Sequence, residues 1–196
     1  MTENKMVNIA LKSAFILALV SSTALASKPV KAVDETAFGE AGGHVDFFVT
    51  GKPSMLKIHG TNDALKGNLV MKNGVLSGVF NIPMKEFVTG MTLRDEHLKN
   101  KAFEVSTYPD SLLTLDPVNT KNISGESIAF TGKLKFHGVE KNVAGQVKLL
   151  VQNKEVQHQA SFTIKLTDFN IPPPEFAGMK IQDDVTIKVD GKAIQL

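Results

Sequence analysis

Arg94, Asp95, Glu96 and His97 form the densest polar cluster in the sequence. Three charged side chains and an imidazole in succession suit two roles. At the head of a helix, free N–H groups and the positive dipole end favour an anionic head group, and Arg94 adds a bidentate donor for a phosphate. The same residues also fit a capped surface helix with a local Arg94–Asp95 pair. His158 is the second candidate. It lies on the apolar side of an alternating strand, either as a core histidine bonded to backbone or as a group that orients the polar end of a ligand. His44, His59, His97 and His137 are scattered, and no two histidines share an i, i+4 helical spacing. No phosphate-binding loop, dinucleotide fingerprint, HExxH or GxSxG motif occurs. With no Cys, the chain has no disulfide, thiolate metal site or cysteine nucleophile. Neither a metal nor a cofactor is expected.

The 196 residues carry 22 Lys and Arg against 20 Asp and Glu, a net charge of +2. No large basic field exists, which argues against nucleic-acid binding. The first residues read as a leader rather than as fold. Lys5 and Lys12 precede the apolar run from Ser13 to Val20, and small residues follow up to Ala24-Leu25-Ala26. That order is the n-region, h-region and A-x-A cut of a secretory signal peptide, and the run is too short to span a bilayer as a helix. Cleavage after Ala26 leaves 170 residues with 20 basic and 19 acidic side chains. The expected compartment is a bacterial periplasm. Residues 27–43, rich in Lys, Ala and Gly without a clear period, are expected to tether the domain, which occupies residues 44–196 without an internal boundary.

Period 2 dominates the domain. Val156, His158, Ala160, Phe162, Ile164 and Leu166 share one parity, and Gln157, Gln159, Ser161, Thr163, Lys165 and Thr167 share the other. This is the pattern of an antiparallel strand with one wet face. Asn73-Gly74 lies between two such runs and suits a two-residue turn with positive φ at both positions. It pairs Lys72 with Val75, Met71 with Leu76, Leu69 with Gly78 and Gly67 with Phe80. The hydrophobic pattern demands the same register. One helix is expected, Met91 to Phe103, capped by Thr92 or Asp95 and stopped at Tyr108-Pro109-Asp110. Residues 170–180, with Pro172, Pro173 and Pro174, are expected to form a rigid surface loop. Eight or nine short antiparallel strands with one helix form an all-β fold. A closed up-and-down barrel or a two-sheet sandwich hides one face of each strand. Phe80, Phe130, Phe136 and Phe162 fall on the inward parity. They are core residues, or pocket lining where the barrel leaves a cavity, and an eight-stranded barrel stands at that threshold.

Three ordered stretches carry a resemblance. The first is Thr89-Gly90, then Arg94-Asp95-Glu96-His97-Leu98, Phe103 and Tyr108-Pro109. The second is Gly132-Lys133-Leu134 through Gly138-Val139. The third is Thr167-Asp168-Phe169-Asn170-Ile171 with the strand Asp184 to Val189. Over about residues 44 to 195 the chain resembles the YceI-like family of lipocalin-fold, polyisoprenoid-binding periplasmic proteins. Asn170 stands where that family usually has Gly. The resemblance implies an extended antiparallel up-and-down β-barrel whose lumen holds a polyisoprenoid or quinone-like amphiphilic lipid. It marks Arg94, Asp95 and His97 as the region of the lipid's head and tilts Phe80, Phe130, Phe136, Phe162 and Phe169, with His158, toward lining the lumen.

The expected function is therefore a non-enzymatic periplasmic carrier of a long-chain amphiphile, with transient contact to a membrane or membrane protein and no nucleic-acid partner. Two other classes stand beside it. One is a solid barrel that docks on a membrane enzyme. The other is an enzyme acting on an isoprenoid lipid, with Asp95 and His97 as acid–base partners.

Overall fold

A computed structural model of the chain describes residues 35–52, 56–120, 125–176 and 178–196. The expected leader, residues 1–26, and the first part of the expected tether, residues 27–34, lie outside the described residues. The strands are β1 (Glu35–Lys52), β2 (Lys57–Asn62), β3 (Lys66–Lys72), β4 (Val75–Pro83), β5 (Asp110–Asn119), β6 (Ser127–Phe136), β7 (Val139–Gln152), β8 (Glu155–Lys165), β9 (Glu175–Phe176), β10 (Met179–Ile181) and β11 (Asp184–Gln195). Eight of them form the barrel in the order β11-β8-β7-β6-β5-β4-β3-β1, and β1 pairs with β11 to close it. This closed antiparallel barrel is the all-β, lipocalin-like architecture that strand parity and the resemblance imply, and it leaves the two-sheet sandwich aside.

Closure depends on the long first strand. β11 runs along one edge of β1 from Phe38 to Phe48, while β3 pairs the other edge over Glu35–Gly39 and β2 over Val45–Thr50. A register shift between Glu40 and Gly42 bends β1, as a bulge does. β1 begins at Glu35, so part of the stretch expected as tether is strand. Gly39, Gly42 and Gly43 interrupt the apolar alternation there, and pairing on both edges supplies what the pattern lacks.

The Asn73-Gly74 turn joins β3 to β4 with φ of 54° and 77°, and the register is Lys72↔Val75, Met71↔Leu76, Leu69↔Gly78 and Gly67↔Phe80, as the sequence predicts. A Cβ on Gly78 would stand 2.3 Å from the Asn68 carbonyl oxygen, so the close strand approach requires glycine.

Between β4 and β5 the chain forms a 3-10 turn (Met84–Glu86), the helix α1 (Thr92–His97) and a π turn (Leu98–Ala102). Neither Thr92 nor Asp95 caps α1. The N-cap position is Met91, without a side-chain hydrogen bond, because the Asp95 carboxylate reaches back to Thr89 instead. The stretch expected as a loop at residues 170–180 carries β9 and β10, which pair with each other, and β10 pairs with the end of β1 at Gly51↔Ile181. The three prolines precede these short strands and need no ladder donors. No described helix is long and apolar enough to cross a membrane.

The segment from Leu166 to Asp183 is pinned at its base. The Thr167 N–H donates to Asp183 Oδ1 at 2.9 Å and its hydroxyl to Asp183 Oδ2 at 2.7 Å. Asn170 adopts left-handed φ of 58°, a conformation that Gly and Asn tolerate best, which accounts for Asn at a position usually held by Gly. The hydrogen bonds from the Thr167 side chain and then its backbone hold the Asp183 carboxyl below its usual range. A lowered folded pKa stabilises above the ordinary carboxylate range, and that stabilisation is lost as pH falls through the lowered value. The protection of the Thr167 amide against hydrogen exchange, taken relative to its intrinsic rate at each pH, is expected to fall on acidification below about pH 4. In Asp183→Asn that protection is expected to be lower at neutral pH and to respond less to acid.

Candidate functional site

The barrel is not filled evenly. A cavity of about 390 Å³ occupies the half nearest α1 and the Leu166–Asp183 segment. Its walls are apolar: Val45, Phe47 and Val49 from β1, Ile58 from β2, Ile82 from β4, Leu134 and Phe136 from β6, Phe162 and Ile164 from β8, and Val185 and Ile187 from β11. Each comes from the inward parity of its strand, so alternation brings them together. Met84, Phe87, Leu98 and Phe103 cover one side of the opening, and Leu166, Ile171 and the three prolines cover the other. Polar groups gather at this rim: Thr89, Arg94, His97, Lys101, Ser111 and Glu175.

The rim is held by a knot around Thr89. The Asp95 carboxylate accepts the Thr89 N–H at 2.8 Å and its hydroxyl. Arg94 donates from Nε to Thr89 Oγ1 at 2.7 Å and from Nη2 to the Thr89 carbonyl at 2.6 Å. Asp95 thus anchors the turn before α1 and does not line the cavity, whereas Arg94 both anchors the turn and borders the cavity. A guanidinium has five N–H donors, so the fork fixed on Thr89 keeps further donors for a polar group at the mouth. His97 also borders the cavity, with an exposed side chain. Arg94→Ala is expected to cost about 1–3 kcal/mol of stability, read as a lower unfolding midpoint. Arg94→Lys is expected to recover little, because an ammonium cannot reproduce the fork.

The aromatic candidates divide by depth. Phe136 and Phe162 line the cavity. Phe80, Phe130 and His158 lie in the packed half, where Phe130 meets Phe162 edge-on at 5.9 Å and Phe80 meets the His158 ring at 5.2 Å. His158 is 4% exposed, so it sits in the core of the barrel. Phe169 is packed behind the wall, its ring 5.5 Å from that of Phe136, and its carbonyl is 3.1 Å from His137 Nδ1. The His137 ring lies 4.4 Å from Tyr108. A Cβ on Gly138, whose φ is 76°, would come within 2.8 Å of the Tyr108 ring. Tyr108, His137-Gly138 and Phe169, from three distant stretches of chain, therefore meet in one contact that braces the cavity wall.

Sequence reasoning missed Phe47, Phe87 and Phe103 as lining, and Thr89 as the hub of the rim. Phe47 packs on Phe87 at 5.5 Å and on Phe103 at 6.4 Å, and Phe103 on Phe136 at 5.7 Å. The alternation Val45, Phe47, Val49 was the available signal for the first. Phe87 and Phe103 lie in irregular segments that carry no periodicity. Among the described residues, no three His, Asp or Glu side chains converge on a point that would hold a metal.

Comparison with known proteins matches this geometry to a family. The YceI-like domain matches residues 37–193. Among solved structures, a polyisoprenoid binding domain from Saccharophagus degradans implicated in plant cell wall breakdown superposes with a TM-score of 0.67. Its identity is 17%, over 82% of this chain and 99% of that one. BcnA from Burkholderia cenocepacia gives 0.64 at 18% identity, over 76% of this chain and 95% of that one. A YCEI protein from Campylobacter jejuni gives 0.58 at 18% identity, over 72% and 87% respectively. At these identities the likeness is one of fold. No curated protein matches the chain.

Proposed function

The chain belongs to the YceI-like family, and on that premise we propose that it is a periplasmic carrier that shelters the tail of an isoprenoid or quinone-like amphiphile in its lumen. The cavity carries the reading: its walls are apolar throughout, it opens at one end of the barrel, and its polar groups sit at the opening. A tail that leaves water for such a wall gains about 25 cal/mol per Å² of apolar surface, while a polar head stays at the rim beside Arg94, His97 and Lys101. The Saccharophagus degradans neighbour, a polyisoprenoid binding domain, supports this class of ligand.

Binding is favoured over catalysis on lipid by the state of Asp95. Its carboxylate is engaged by both donors of Thr89 and does not border the cavity, a poor position for a general acid or base. Export to the periplasm rests on the leader read at residues 1–26. Val88, Met91 and Leu93 are exposed beside the opening, at 46%, 46% and 56%. They form the face we assign to a membrane during loading and release.

Extraction of the protein purified from its native compartment, followed by mass spectrometry, is expected to recover an isoprenoid-type lipid in stoichiometric amount. Recovery of no lipid, together with no uptake of added isoprenoid alcohol, would overturn the reading. Flotation with lipid vesicles tests the membrane face. Leu93→Glu is expected to reduce flotation without loss of bound lipid.

A further inference from the structure

The hollow ends well short of the barrel's far end. Its deepest lining residues are Val45, Leu134, Phe162 and Ile187. Beyond them the described inward side chains pack on one another. Phe130 stands edge-on to Phe162, with rings at 87° and centroids 5.9 Å apart, and Phe80 meets His158 at 5.2 Å. Leu76 and Val156 are fully buried, and Leu149 and Leu69 are nearly so. Gly145 makes the interlock possible. A Cβ there would stand 2.3 Å from the Ser161 carbonyl oxygen, 2.7 Å from Phe162 Cβ and 2.8 Å from Phe130 Cε1, so the close approach of β8 and of the Phe130 ring to β7 requires glycine.

We infer that Phe162, backed by Phe130 and Gly145, is the floor of the lumen and sets the length of tail this protein takes, limiting it to about three isoprene units. This rests on the lipid-binding reading above and narrows it. At about 30 Å³ per water-sized group, 390 Å³ holds about 13 such groups, which lies between two and three isoprene units. Any part of a longer chain stays outside the opening and gains no shelter. Phe162 both borders the cavity and packs on the plug. Removing its ring deletes about as many heavy atoms as one isoprene unit contains, so a truncated Phe162 lengthens the lumen by about one unit.

The test measures the affinity of delipidated protein for geraniol, farnesol, geranylgeraniol and solanesol. In the native chain, affinity is expected to rise at least tenfold from geraniol to farnesol and then to level off. In Phe162→Ala the plateau is expected to move to geranylgeraniol, with affinity for that alcohol raised at least tenfold. Phe162→Leu, a milder change, is expected to shift the plateau part of the way, and it decides the matter where the alanine variant does not fold. An affinity that keeps rising through geranylgeraniol and solanesol in the native chain overturns the inference, and so does an unmoved plateau in a folded Phe162 variant. Failure of every alcohol to bind the native chain instead removes the lipid-binding reading itself.

Discussion

Ile187→Trp is expected to lower affinity for farnesol by about 100-fold while the barrel remains folded. Ile187 stands on β11 opposite Phe162 on β8 and Phe47 on β1. It borders the cavity and is only partly buried, because part of its side chain faces the hollow rather than other atoms. An indole there fills the deep end of the hollow, beside the Phe162 floor, where the end of the tail would lie. A pocket contact altered by a single methylene already changes affinity by about 10–200-fold, and an indole adds several atoms. The hollow accepts much of the added volume, so the cost in stability is expected to stay within about 1–3 kcal/mol. Two measurements check it together: a farnesol titration and a thermal melt. The native chain has no Trp, so the introduced indole is also the sole tryptophan emitter, and its emission is expected to be blue-shifted. Unchanged farnesol affinity in a folded variant would place the tail outside this cavity.

Phe169→Ala is expected to carry the largest loss of stability, about 3–5 kcal/mol. Phe169 is 1% exposed. Its ring packs on Phe136, its backbone carbonyl meets His137, and the left-handed residue Asn170 follows it. Truncation opens a void behind the cavity wall and loosens the Phe136 ring. For a domain of this size each kcal/mol shifts the midpoint by about 2–4 °C, so the melt is expected to fall by about 6–20 °C. His137→Ala is a useful companion, because it breaks the hydrogen bond to the Phe169 carbonyl and leaves the ring in place. A larger loss for Phe169→Ala than for His137→Ala assigns the effect to ring packing rather than to the polar contact.

These two residues also show where sequence reading runs out. Phe169 emerges through its place beside Asp168 and Asn170 in a stretch that resembles the family, and nothing in its local pattern tells a residue that touches a ligand from one that supports the wall. The answer lies in Phe136 and His137, more than thirty positions earlier in the chain. Phe80, Phe130, Phe136 and Phe162 share one inward parity, yet two face the hollow and two fill the plug. Parity states which side of the sheet a ring takes. Depth along the barrel depends on how strands from distant parts of the chain stagger against one another.

The sequence by itself determined what local physics decides. Alternating apolar residues specify strands with one dry face. Asn73-Gly74 specifies its turn and thereby the register of β3 on β4, because two residues with positive φ admit few connections. The absence of cysteine requires that packing and strand pairing hold the structure. Tertiary structure alone decided the rest. Closure of β1 on β11 joins the two ends of the domain, and the strand in β1 is fixed by partners on both edges rather than by its own glycine-broken pattern. Arg94 and Asp95 turn to Thr89 because the turn before α1 folds Thr89's donors and acceptors back onto them, so a run of charges that reads as an anion site is also a brace for the rim. The cavity is the space left when Phe130 and Phe162 interlock over Gly145 in one half of the barrel, while the rings of Phe47, Phe87, Phe103 and Phe136 pack on one another along the wall and rim of the other. A hollow belongs to no single residue, and only the packed chain shows where side chains stop short of filling it.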